Sequence, residues 1–107
     1  MKLIQTNWLI GISSILLYPY IFVIRMDKVI INHAYIHVMQ IRRSQIKYGK
    51  LGVIFWYCSY LWDWAKGGFS YWNNRYEVEA FLNEDNETYI QAHDPELFAE
   101  MKNNNVI

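Results

Sequence analysis

The chain has 107 residues, with ten basic and ten acidic side chains and therefore no formal net charge. Its length fits one small domain, and its content of 53% hydrophobic and 18% aromatic residues excludes a disordered polypeptide, which cannot bury enough apolar surface to fold. The single cysteine, Cys58, excludes an internal disulfide and a cysteine-rich zinc module, and it favours a reducing, cytoplasmic location.

The charges are divided between the two halves of the chain. Residues 1–62 carry seven basic side chains and one acidic side chain, a balance of +6, whereas residues 63–107 carry three basic and nine acidic side chains, a balance of −6. Such segregation is typical of a basic face that binds nucleic acid or anionic lipid, or of two halves that pack against each other.

Residues 1–26 are predicted to form strands. The uncharged run within them, Trp8–Ile24, has 17 residues, which is at the short limit for a transmembrane helix of about 20 apolar residues. β-Branched and aromatic residues fill the run, and Gly11 and Pro19 interrupt it, so that strands are favoured. The alternative is a small single-span membrane protein with residues 25–50 as its basic cytoplasmic side.

The rest of the chain is predicted to be helical. The fold class is therefore α+β, with a small N-terminal antiparallel sheet or hairpin packed on about three to four helices in one domain, residues 1–107. Start and stop signals delimit the helical segments as residues 27–48, 50–66, 75–92 and 93–107, the last with a frayed tail.

Three of these segments carry more specific expectations. Asp27 is placed to cap the first helix, and Asn73 or Asn74 to cap the third. The second helix is apolar nearly all round, so we expect it to lie buried in the core together with its Cys58.

Two histidines, His33 and His37, lie on the first predicted helix in the run NHAYIHVMQ. Their spacing places both imidazoles on one helical face, one turn apart, within reach of a single metal ion. A pair of partly exposed surface histidines is the alternative. A zinc-peptidase helix reads H-E-x-x-H, whereas Ala34 occupies the position of that glutamate.

The run YEVEAFLNE on the third predicted helix offers a carboxylate to complete such a site. Glu77, Ala80, Phe81 and Glu84 share one face of that helix, and Glu79 points away from it. This small, partly apolar face can pack against the histidine helix with one carboxylate directed inward. An ordinary acidic surface helix is the alternative.

The order of these segments resembles the small gluzincin zinc metallopeptidases, or minigluzincins. The resemblance covers residues from about 10 to 90 and rests on LLYPYIFV at 16–23, NHAYIHVMQ at 32–40, FWYCSYLWDW at 55–64 and YEVEAFLNE at 76–84. It implies a zincin-like fold, a Zn²⁺ cofactor and endopeptidase activity on a peptide or protein substrate. It also implies that the N-terminal segment is a sheet whose edge strand pairs with extended substrate, so that contact with a membrane is not expected.

The resemblance further implies a role for individual residues of this chain. It makes His33, His37 and Glu77 the metal ligands. Gln40 and Glu84 then lie next to the ligands, where they can orient an imidazole.

Such sites use a histidine or a tyrosine to stabilise the developing oxyanion. The sequence does not identify a single residue for this role. Tyr71, Tyr89 and His93 are candidates. Residues 93–107 are expected either to close the core or to fold over the cleft and keep the enzyme latent, as in a zymogen, and dimerisation is a further expectation for regulation.

Ala34 is the departure from the family pattern that matters most. The glutamate of H-E-x-x-H acts as general base, and the loss of such a group costs about 100-fold to 10,000-fold in rate. The chain is therefore expected to bind zinc and to hydrolyse little. Two origins are hypothesised, an engineered inactivation of an active peptidase and a natural zinc-binding pseudoenzyme, and the codon for residue 34 in the encoding gene distinguishes them.

A binding module for phosphate groups is a third functional class. Its cations would be Arg42, Arg43, Lys47 and Lys50. Four charges on a neutral chain form a modest footprint, and the aromatic residues cluster at apolar positions that are typical of a core. Nucleic acid is therefore not expected as a partner.

Overall fold

The computed structural model describes residues 2–9, 14–68, 74–86 and 88–103. Within these ranges, three strands and five α-helices follow one another along the chain, and a 3₁₀ turn, Gly49–Leu51, joins the first two helices. The elements are β1 (Lys2–Gln5), β2 (Ser14–Leu17), β3 (Tyr20–Val23), α1 (Lys28–Tyr48), α2 (Gly52–Lys66), α3 (Arg75–Asn83), α4 (Tyr89–His93) and α5 (Pro95–Asn103). The predicted α+β class is confirmed.

The three strands form one sheet in the order β1-β3-β2. Strands β2 and β3 are an antiparallel hairpin in which Leu16 lies opposite Ile21, which confirms the predicted hairpin. The other predicted form, an antiparallel sheet, does not extend to β1, because β1 pairs in parallel with β3. Residue alternation records which face of a strand is buried and carries no information on strand direction. This order leaves β2 at an edge of the sheet.

The segment weighed as a transmembrane span, Trp8–Ile24, contributes β2 and β3 to this sheet. Among the residues that the structure describes, none of the helices combines the length and the apolar character that crossing a bilayer requires.

Helix α1 begins as predicted and is the centre of the fold. The Asp27 carboxylate accepts hydrogen bonds from the backbone N–H groups of Val29 (2.8 Å) and Ile30 (3.3 Å). Every residue from 30 to 41 is buried except His33. The sheet, α2, α3 and α4 all contact α1. Each side of α1 therefore packs against a different element.

Helix α2 differs from the prediction in its burial. Its buried residues are Gly52, Trp56 and Asp63, and Cys58 is exposed. The expectation of a buried core helix with a buried cysteine was therefore wrong. A chain of this size has too few elements to cover an apolar helix on both sides, and only one side of α2 packs into the fold.

The predicted helix 75–92 is two helices separated by a turn. The side-chain amide of Asn32 on α1 donates to the backbone carbonyls of Asn83 (3.1 Å), Glu84 (2.8 Å) and Asn86 (3.2 Å). The carbonyls of Asn83 and Asn86 also accept from the backbone N–H groups three residues later, at 3.0 and 3.2 Å. Asn32 therefore holds the turn in which α3 ends and after which α4 begins. The prediction of a single continuous helix was therefore wrong.

Opposite charges of the two halves of the chain pair with each other at the surface of the fold. Arg42 of α1 contacts Asp94 at 2.6 Å and Glu96 at 3.1 Å, and Arg43 contacts Glu79 at 3.0 Å. Some of the basic residues of the first half therefore form ion pairs with acidic residues of the second half, as expected for two halves that pack against each other. Two of the four cations considered for a phosphate-binding module already have carboxylate partners.

Gly52 lies where α2 turns back along the end of α1, and we expect its replacement to destabilise the fold. A Cβ atom there would lie 2.4 Å from the backbone nitrogen of Gln45. Gly52→Ala should lower the free energy of unfolding by about 1 to 3 kcal/mol, as overpacking does. Urea denaturation measures the change. Cys58→Ala, at an exposed position of the same helix, is the control and should stay within about 0.5 kcal/mol; equal stability of the two variants would contradict the close approach.

Candidate metal centre

Two histidines of α1 converge on one carboxylate of α3. The Nε2 atom of His33 lies 3.0 Å from Oε1 of Glu77, and the Nε2 atom of His37 lies 2.8 Å from the same oxygen. The two ring centroids are 5.0 Å apart, as expected for residues one helical turn apart. The three donor atoms all lie within 4.8 Å of one another.

Glu77 reaches this position because Asn74 fixes the start of α3. Asn74 is fully buried; its side-chain oxygen accepts from the backbone N–H of Tyr76 at 2.9 Å, and its amide donates to the carbonyl of Tyr60 on α2 at 3.1 Å. Asn74 rather than Asn73 is therefore the cap of α3. Ala80, one turn after Glu77, is fully buried and lets α3 approach α1 closely.

The outer nitrogen of His33 is held by Glu84. Its Nδ1 lies 2.9 Å from Oε2 of Glu84. Because an ionised carboxylate can only accept, Nδ1 carries the proton of this hydrogen bond. Nε2 faces Oε1 of Glu77: it carries the lone pair when the ring is neutral and donates to that oxygen when the ring is protonated.

The outer nitrogen of His37 is held by the buried side chain of Gln40. The Gln40 amide nitrogen donates to the carbonyl of Tyr76 at 3.0 Å and to Oε1 of Glu79 at 2.8 Å. A backbone carbonyl can only accept, so the orientation of the Gln40 amide is fixed and its oxygen faces Nδ1 of His37 at 2.9 Å. His37 therefore also carries its proton on Nδ1 and presents Nε2 to Glu77.

If both imidazoles were neutral, three lone pairs would be directed at one another in a poorly hydrated site. Such an arrangement is stable when a cation lies among them, either protons on the imidazoles or a metal ion. Tetrahedral zinc with Zn–N bonds of about 2.0 to 2.1 Å separates its ligand atoms by about 3.3 Å. Oε1 lies at hydrogen-bond distances of 3.0 and 2.8 Å from the two nitrogens, so these side chains would move apart by only a few tenths of an ångström to admit the ion. The residues present therefore fit a zinc ion.

The electrostatics of the site also favour positive charge next to Glu77. Burial opposes the charged form of His33, but the hydrogen bonds and charges of Glu77 and Glu84 outweigh it and raise the pKa of His33. Burial likewise opposes the charge of Glu77, whereas hydrogen bonds from His33, His37 and Tyr60 hold the pKa of its carboxyl well below its usual range. Glu77 is thus an anion that the surrounding donors stabilise.

A cleft of about 300 Å³ opens beside these three residues. Strand β2 forms one wall, α1 contributes His33, Ala34 and His37, and aromatic residues of α2 form the opposite wall. Ala34 is almost completely buried, at 2% exposure. Its methyl group has no atom that could accept or donate a proton during catalysis. Position 34 therefore lies in the cleft next to the candidate ligands.

The edge strand β2 is held against α2 by Tyr57. The hydroxyl of Tyr57 donates to the carbonyl of Leu16 at 2.7 Å and accepts from the backbone N–H of Tyr18 at 3.0 Å. These bonds fix the edge of the sheet that lines the cleft.

Two residues near the centre were missed by the sequence analysis. The hydroxyl of Tyr60 donates to Oε2 of Glu77 at 2.6 Å. Glu79, which was predicted to point away from the ligand face, accepts from Gln40 and from Arg43. Burial opposes ionisation of Glu79, but its hydrogen bonds, including one from Tyr89, hold its pKa below the usual value. The spacing of Gln40 and Arg43 on α1 is the signal that could have placed a carboxylate there.

The structure does not bring the oxyanion candidates Tyr89 and His93 to the cleft. The Tyr89 hydroxyl donates to Glu79, and His93 is exposed, with its Nδ1 2.9 Å from the Tyr89 carbonyl. Tyr89 was placed on a continuous third helix and His93 at the start of the C-terminal segment, and the turn after α3 redirects both. Tyr71 lies outside the described residues. Tyr60 is a described tyrosine whose hydroxyl lies beside a candidate ligand.

The C-terminal segment packs into the core. Leu97 and Met101 of α5 are buried at 0% and 1% exposure. No residue of its described part, up to Asn103, is among those that line the cleft.

Comparisons with protein-family models, with curated proteins and with solved structures found no match. The resemblance to the small gluzincins therefore rests on the sequence motifs named above.

Gln40 links the histidine helix to α3, and its loss should destabilise the protein. Gln40→Ala leaves the buried Nδ1 of His37 and the carbonyl of Tyr76 without their hydrogen bonds. We expect a loss of about 2 to 3 kcal/mol in the free energy of unfolding, measured by urea denaturation. Gln91→Ala, at an exposed position of α4, is the matched control. A Gln40→Ala variant as stable as that control would show that the network contributes nothing.

Proposed function

We propose that this chain binds Zn²⁺ through His33, His37 and Glu77 and is a metallopeptidase of the gluzincin type whose general base is missing at Ala34. The observation that carries the proposal is the convergence of two Nε2 atoms and one carboxylate oxygen beside a cleft. Both Nδ1 atoms are already bonded to acceptors, which is the tautomer that a metal-ligating histidine requires.

The donor set favours a transition metal such as zinc over Ca²⁺ and Mg²⁺. Imidazole nitrogens suit zinc, whereas Ca²⁺ and Mg²⁺ prefer sites made of oxygen atoms. Two histidines with one glutamate is a ligand set of catalytic zinc. When bound, zinc supplies a Lewis acid that polarises a carbonyl group and activates water at neutral pH.

The residues around the ligands would then have distinct tasks. Glu84 and Gln40 orient the imidazoles through Nδ1. Tyr60 holds the second oxygen of Glu77, so that one carboxylate oxygen is kept for the metal. The edge strand β2 lies along the cleft, where an extended peptide segment could pair with the backbone groups that Tyr57 does not already bond. A peptide or protein is therefore the proposed substrate class.

Ala34 sets the level of activity that we expect. Its methyl group cannot accept a proton, and no other carboxylate among the described residues lines the cleft besides Glu77. The chain as it stands should hold zinc and hydrolyse little. This holds for an engineered inactive form and for a natural pseudoenzyme alike.

The first test is metal content. Protein purified without chelator should contain about one zinc ion per chain, the stoichiometry of a three-residue site, measured by plasma mass spectrometry. His33→Ala and Glu77→Ala should lose the ion, because each removes a ligand. His93→Ala, which removes an exposed imidazole away from the centre, should retain it. Absence of zinc from the intact protein, or equal loss in all three variants, would contradict the site.

The second test restores the missing base. Ala34→Glu should raise the rate of cleavage of an unstructured protein by about 100-fold or more, and a chelator should abolish that activity. Ile46→Glu is the matched control, since it places a glutamate at an 85% exposed position of the same helix. If Ala34→Glu binds zinc and remains folded but cleaves nothing, the peptidase proposal fails while the zinc site stands.

A further inference from the structure

Helix α2 presents an apolar stripe to solvent. Its large members are between 45% and 69% exposed, and their spacing follows the period of one helical face. Cys58, also exposed, lies at the middle of the stripe. We call this surface the α2 face, and its residues are Leu51, Ile54, Phe55, Cys58, Leu61 and Trp62.

The α2 face is large for a chain of this size. Its five large side chains expose roughly 600 Å², at the upper end of the apolar patches that monomers leave uncovered, and patches of this extent mark interaction sites. Trp62 is the most exposed of them, at 69%. Its ring is amphipathic, which suits the boundary between apolar and aqueous surroundings.

The charges that border the α2 face are basic. Lys50 precedes its first residue, and Lys66 follows Trp62 by one helical turn. Within the described ranges, neither lysine forms an ion pair with a carboxylate. Asp63, the one carboxylate of α2, is buried and pairs with Arg75 at 2.8 Å. An apolar stripe with a lysine at each end is complementary to an apolar surface that carries negative charge.

We propose that the α2 face docks on the surface of an anionic lipid bilayer. The apolar side chains enter the interface while Lys50 and Lys66 reach the phosphate groups of the lipids. A second copy of the chain fits the same face less well. In an antiparallel pair of α2 helices, Lys50 of one copy lies near Lys66 of the other, and like charges oppose association.

The docked orientation would affect the cleft. Leu61 belongs to the α2 face and also lines the cleft. The half-exposed Leu17 of β2 lines the same cleft. A chain bound through α2 therefore holds one wall of its cleft next to the bilayer. This inference concerns a surface and does not depend on the metal centre.

Vesicle co-sedimentation tests the proposal on the full chain. The probes are vesicles of phosphatidylcholine alone and vesicles of phosphatidylcholine mixed with phosphatidylglycerol. We expect binding to the mixed vesicles to be at least about 10-fold stronger, because two or more lysines contact the anionic surface. Added salt should weaken that binding.

Two sets of variants separate the apolar and the charged contributions. Ile54→Ser with Trp62→Ser should abolish sedimentation, whereas Leu82→Ser, which removes a 78% exposed leucine from α3, should not change it. Lys50→Glu with Lys66→Glu should weaken binding to the mixed vesicles by about 10-fold or more, and Lys102→Glu, on α5, should leave it unchanged. Far-UV circular dichroism and urea unfolding verify that each variant is folded.

Three results would overturn the proposal. The protein could stay in solution with both kinds of vesicle, or the folded Ile54→Ser with Trp62→Ser variant could bind as strongly as the original chain. Light scattering could instead reveal a dimer that this double substitution dissociates, with no vesicle binding, in which case the α2 face is an interface between copies.

Discussion

The contact of two imidazoles with one oxygen of Glu77 is the interaction on which the arrangement of the helices depends. It joins α1 to α3 across a span of 44 residues, and its members are largely removed from water. A carboxylate in such a place is costly unless it is paired and hydrogen-bonded. His33, His37 and Tyr60 supply that pairing, so the loss of any one leaves a charge or donor in a poorly hydrated site. The position of α3 is therefore set by electrostatics as well as by packing.

The same requirement explains why the charges are segregated along the sequence. The first half brings α1 with its imidazoles and arginines, and the second half brings the carboxylates that meet them. Arg42 bonds to Asp94, and Arg43 bonds to Glu79, which in turn holds Gln40 beside His37. The chain has no net charge, and part of this balance consists of basic residues of α1 that bond directly to acidic residues of the second half.

Local signals predicted helix α1 and its pair of histidines, and the resemblance to the small gluzincins supplied Glu77, whereas long-range contacts determined the rest. Asp27 caps its own helix, and the spacing of His33 and His37 is a property of that helix alone, so both were accessible from sequence. The end of α3 is set by Asn32, about 50 residues earlier in the chain, and no local pattern near residue 84 records it. The parallel pairing of β1 with β3 likewise joins segments that are distant in sequence, and no local pattern in either strand records its direction.

Helix α2 shows how one apolar pattern can serve two surfaces. Trp56 and Tyr60 face the cleft and the carboxylate of Glu77, and Ile54 and Trp62 face away from the fold. Uniform hydrophobicity predicted burial because it cannot distinguish a helix surrounded by protein from one covered on one side only. In a chain with so few elements, the uncovered side is a consequence of size. The large apolar residues that this side carries between two lysines indicate a partner outside the chain.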